Sequence, residues 1–223
     1  MNPVAALAKA EILQLARNKT AAGMALVLPL ALGVMFLFSV TERDAAIALQ
    51  LAAAQGLTVY VSVTTAFVAR RQDLSLKRLR SGELSDLAIV AGVLAPFAVL
   101  GVAQCAVLTA VAIAAGASVH PGLLVAIIGG VAVNAAAGVW TAAFTATAES
   151  AQITTAPFFM AGLGGVIWAQ ADETNLLPVA LPGGAVADLV RGANTWQAVG
   201  SLVVWTAFGW LAGLRNLRWD RRD

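Results

Sequence analysis

The sequence has 223 residues, 60% of them hydrophobic and only 12% charged, with a formal net charge of +2. Ordinary soluble domains carry about a quarter charged residues, so this composition excludes a conventional water-covered surface. The small positive excess, set beside apolar runs, excludes a basic nucleic-acid-binding face, and the lone Cys105 excludes an intrachain disulfide or a thiolate zinc site.

Asn2 followed by Pro3 reads as an N-cap with proline at the first helical position, opening a helix to about Asn18. Val4, Leu7, Ile12 and Leu15 make an apolar side that Glu11 and Leu13 interrupt, while Lys9 and Arg17 point elsewhere. This segment is too polar to span a bilayer and is expected to lie at the cytoplasmic interface.

Six apolar runs follow, each near or above the roughly 20 residues that cross a membrane as a helix. They cover about 21–40, 45–69, 87–117, 122–147, 153–169 and 196–214. The first exceeds the usual core of a secretory leader and has no small-x-small cleavage site after it, so it reads as a span. Thr41, Glu42, Arg43 and Asp44 turn the chain between the first two spans, and His120 and Pro121 turn it before the fourth. Residues 170–195, with Asp172, Glu173, Pro178, Pro182, Gly183 and Gly184, are too long for a turn and too polar for lipid, and are expected outside the membrane. The fold class expected is all-α: one polytopic transmembrane domain over 1–223, with six spans and an N-terminal interfacial helix.

With the N-terminus inside, the short-loop rule places Lys9, Arg17, Lys19, Arg70, Arg71, Lys77, Arg78, Arg80, Arg215, Arg218, Arg221 and Arg222 on the cytoplasmic side, against Arg43 and Arg191 outside. Adding or dropping a span would invert every later loop, so this division supports six spans with both termini cytoplasmic.

The expected spans hold no Asp, Glu, Lys, Arg or His, which leaves no group at depth to carry a proton or bind a metal. Gln50, Gln55, Gln104 and Asn134 are mid-span, where an interhelical hydrogen bond is the favoured reading over a role lining a pathway. Gly209 and Gly213 offer a small-xxx-small contact in the last span. No phosphate-cradling G-x-x-x-x-G-K-[ST] loop is present, so any ATP is handled by a partner.

The polar stretch 70–86 places Leu76 and Leu79 on one helical side and its Arg and Lys residues on the other. It resembles the first cytoplasmic loop of type-2 ABC exporter permeases, through Arg71, Leu76, Lys77, Arg78, Leu79, Arg80, Leu84 and Ser85. Gln72, Leu74 and Glu83 depart from that pattern, standing where the family often has Glu, Gly and Pro. The run from Leu181 and Pro182 through Asp188 to Arg191 is similar to a second family motif, in the segment before the last span.

The resemblance implies a permease subunit that pairs with a second copy, or with a homologous chain, around a central pathway. Two separate ABC ATPase subunits, carrying ATP and Mg, would dock from the cytoplasm. Arg70, Arg71, Gln72, Asp73, Lys77, Arg78, Arg80, Glu83 and Glu149 would form the coupling surface, and Pro178, Pro182, Asp188 and Arg191 an extracellular gate. The chain itself would hold no catalytic, cofactor or metal residues. Its other partners would be membrane lipids and a small amphipathic or hydrophobic substrate, in a cell inner membrane. An ATP-independent carrier or channel, and a non-transporting scaffold subunit, are the alternatives on sequence.

Overall fold

The structure is a computed structural model that describes residues 3–81, 84–118, 120–217 and 219. Asn2, Glu83, Arg218, Arg221 and Arg222, which figure in the sequence reading, lie outside the described residues. All regular structure among the described residues is helical.

The chain opens with α1 (Pro3–Arg17), breaks at Asn18, and continues as α2 (Lys19–Ser39). The Asn18 side chain accepts from the Ala21 amide at 3.0 Å, satisfying an otherwise unpaired donor at the start of α2. A short turn leads into α3 (Arg43–Gln72), and α4 (Ser75–Arg80) follows. Ser85 caps α5 (Asp86–Ala114), which carries Pro96 in its interior. Next come α6 (Gly122–Phe144), α7 (Ala148–Thr154) with a Thr147/Ser150 capping box, and α8 (Ala156–Ala171). A 3₁₀ turn at Leu177–Ala180, α9 (Pro182–Arg191) and α10 (Thr195–Asn216) complete the molecule.

Five helices, α2, α3, α5, α6 and α10, are long and apolar enough to cross a membrane. The chain is thus a multi-pass membrane protein by length and composition of its helices. The fifth run of the sequence reading is divided: Thr155 separates α7 from α8, leaving α8 at 16 residues, or about 24 Å of helix. That is shorter than a hydrocarbon core of about 30 Å.

α3 is the most enclosed long helix, with 78% of its apolar window buried, against 22% for α2 and for α10. Its apolar and amide side chains feed two cores. One surrounds Leu51, Leu108, Val133 and Leu189; the other surrounds Val63, Phe67, Ile89 and Val139, with Leu7 of α1 and Leu76 of α4 packed into it.

α9 is more enclosed than the polarity of its segment conveys. Residues 182–190 are all buried, packed among α3, α6, α8 and α10. The sequence reading places the whole stretch 170–195 outside the membrane, as too long for a turn and, with Asp172, Glu173, Pro178, Pro182, Gly183 and Gly184, too polar for lipid. The surrounding here is protein, and helical backbone satisfies itself. Glycines make the close approach possible: a Cβ on Gly183 would collide with the carbonyl oxygen of Gly162 in α8.

Candidate functional site

The polar segments gather at the two ends of the bundle. At one end, α3 finishes with three consecutive residues that each tie to a different element. Arg70 forms a buried ion pair with Glu11 of α1, the two side chains being 11% and 4% exposed. Glu11 interrupts the apolar side of α1 in sequence; in the fold that interruption is the contact. Burial raises the Glu11 carboxyl above its ordinary 4.5 even though the Arg70 guanidinium opposes the shift.

Arg71 is fully buried and donates to the carbonyl oxygens of Ala142, at 2.8 Å, and Thr145. These are acceptors at the end of α6, where a cation also meets the negative end of the helix dipole. The Gln72 side-chain oxygen accepts from the Ala148 amide at 3.0 Å, fixing the start of α7. Arg70, Arg71 and Gln72 are therefore internal connectors, although composition alone marks this polar stretch as surface.

Leu74, at φ 57°, turns the chain in the left-handed region, and α4 follows. Leu76 is buried and Leu79 packs against the same core, whereas Lys77, Arg78 and Arg80 are exposed, as the amphipathic reading requires. Arg80 sits 3.3 Å from Asp86, and its guanidinium lies 5.2 Å from the Trp219 ring centroid, so Trp219 reaches this same end. Asp73 is exposed at the C-cap of α3. Glu149 is exposed in the first turn of α7, where backbone and Thr147 hydrogen bonds hold its carboxyl below its ordinary 4.5. Of the expected coupling residues, Asp73, Lys77, Arg78, Arg80 and Glu149 are exposed, and Arg70, Arg71 and Gln72 lie beneath them.

At the opposite end, the four expected gate residues belong to one assembly. Pro178 is buried in the 3₁₀ turn and Pro182 opens α9. Asp188 is 2% exposed and accepts from Arg191, and from Asn194 at 2.9 Å. Arg191 also donates to the Ala169 carbonyl at 2.8 Å and lies 3.5 Å from Glu173. This pins the end of α9 to the end of α8. Glu173, already part of the polar segment in sequence, joins the cluster, and so does Asn194, which nothing in the local pattern singles out.

The mid-helix amides pair across the bundle. Gln50 donates to the Gly33 carbonyl at 2.8 Å, and Gln55 to that of Ala126 at 3.1 Å. Gln104 donates to the Ala25 carbonyl at 3.0 Å, and the Thr58 hydroxyl reaches the same oxygen at 2.8 Å. Asn134 instead bonds the Gly130 carbonyl of its own helix. Ala25 lies within a π-helical stretch of α2, Gly23–Val27, and Thr58 within another of α3, Gln55–Val61. Such a stretch disturbs the regular helix pairing, and here two side chains from neighbouring helices converge on one of its carbonyls. Hydropathy locates the amides but carries no signal for the π stretches or for Thr58.

No protein-family model and no curated protein matches the chain.

Proposed function

We propose that this chain is the membrane-spanning permease subunit of an ATP-driven exporter of the type-2 ABC kind. In this reading α8 completes six passages through the membrane, and both termini face the cytoplasm. The carrying observation is the convergence of α1, α4, the start of α7 and Trp219 on one end of the bundle, where Lys77, Arg78 and Arg80 are exposed. That end carries the excess of Lys and Arg expected on the cytoplasmic side. A cationic amphipathic helix rooted in the longest candidate membrane helix is suited to receive a soluble partner and to pass on its rigid-body motion.

The partner is a pair of separate ATPase subunits that bind ATP and Mg. A second copy of this chain, or a homologous one, completes the pathway. The substrate is small and amphipathic or hydrophobic, in keeping with long helices whose buried polar groups at mid-length are amides and hydroxyls. The α9 assembly with Pro178, Pro182, Asp188 and Arg191 closes the far end.

The test is affinity purification of the tagged chain from its native host in mild detergent. A stoichiometric protein with a Walker A loop is expected, lost from the K77E/R78E/R80E variant. Purification alone as a stable oligomer, with transport by that oligomer in liposomes, would overturn the reading in favour of an ATP-independent carrier. Normal export in cells lacking the chain would leave a scaffold.

A further inference from the structure

We infer that Arg70, Arg71 and Gln72 are positioning residues that clasp the end of α3, and with it α4, to three other elements, so that α1, α4 and the α6–α7 junction move as one body. Three successive side chains leave the end of α3 in three directions: to Glu11 of α1, to the carbonyls of Ala142 and Thr145, and to the Ala148 amide. The Ser75 hydroxyl adds a fourth bond, donating to the Arg70 carbonyl at 2.9 Å and closing the turn between α3 and α4. Across the junction the Thr145 and Thr154 hydroxyls lie 2.8 Å apart, joining the end of α6 to α7.

Burying two guanidinium groups is costly unless each is well paired, and solvent-facing arginines would satisfy topology without that cost. What burial adds is reach, because charge-assisted bonds shielded from water resist separation. A displacement of α4 is therefore passed to α1 on one side and to α6 and α7 on the other. Lys77, Arg78 and Arg80 are the contact, and Arg70, Arg71 and Gln72 are the linkage behind it. The transmission role rests on the exporter reading above; the clasp itself does not.

Spin labels at A10C and S81C, and separately at S81C and A146C, measure the two arms in a C105A background. Native distributions should be narrow. R70M and E11Q should broaden the first pair, and Q72A the second, with the E11R/R70E exchange narrowing the first again. Distributions unchanged in R70M, E11Q and Q72A overturn the clasp.

In the reconstituted complex, R70M and Q72A should retain the ATPase but transport several-fold less substrate per ATP hydrolysed. Native transport per ATP in variants whose distances have broadened overturns the transmission role. A native chain that binds no ATPase, with the distance results as expected, removes the exporter reading and the transmission role while the clasp stands.

Discussion

Glu11 and Arg70 show how differently one residue reads in sequence and in the fold. Replacing one member leaves its partner's buried charge uncompensated, which costs about 3 kcal/mol. E11L and R70M should each lower stability by that amount in detergent unfolding, whereas E11L/R70M should fall within about 1 kcal/mol of native. A loss in the double variant equal to the sum of the two single losses would show that the pair is not coupled. Leu74 gives the second residue-scale prediction. A side chain at φ 57° costs about 1–2 kcal/mol relative to glycine, partly offset by glycine's greater freedom when unfolded. L74G should therefore be neutral or stabilising by up to about 1 kcal/mol, and a clear loss of thermal stability would count against strain at this turn. The sequence shows Leu74 as a departure where glycine is usual, yet the backbone keeps the conformation that glycine suits. Charge along 70–80 was legible as an amphipathic pattern because Leu76 and Leu79 set its phase. The burial of Arg70 and Arg71 was not, since their partners lie 59 and more than 70 positions away in the chain.

The long helices were legible because an apolar run of about twenty residues has few other uses. Their expected ends agree with the structure within a few residues for α2, α3, α5, α6 and α10. α8 and α9 were harder. Thr155 and Pro157 shorten the first, and the burial of the second depends on backbone contact with Gly162 and Pro178, which no hydropathy window registers. That contact predicts a cost of at least about 1–3 kcal/mol for G183V, seen as a lower unfolding temperature, while G164A, where nothing lies nearby, should be close to silent. The π stretches carry a similar expectation. T58V and Q104L remove bonds between α2, α3 and α5, each worth roughly 0.6–2 kcal/mol. Losses that simply add would indicate two independent bonds; a smaller combined loss would mark the shared Ala25 carbonyl as one unit.

Across the whole molecule, charge and geometry are arranged along one axis. The Lys77, Arg78 and Arg80 face lies at one end, and the Arg191 cluster with the His120 turn at the other, where His120 packs beside Gly192. Single cysteines K77C and H120C, in a C105A background, should therefore react with an impermeant maleimide from opposite sides of the membrane, with K77C protected in intact cells. Labelling of both from one side would contradict the orientation proposed. The buried α9 also constrains how the protein is made. Ten residues bearing Asp188 and Arg191 cannot be released into lipid alone, and one wall of their pocket is α10, synthesised afterwards. α9 therefore reaches its packed position only after α10 has been made, so closure of this assembly is a late event in the maturation of these helices.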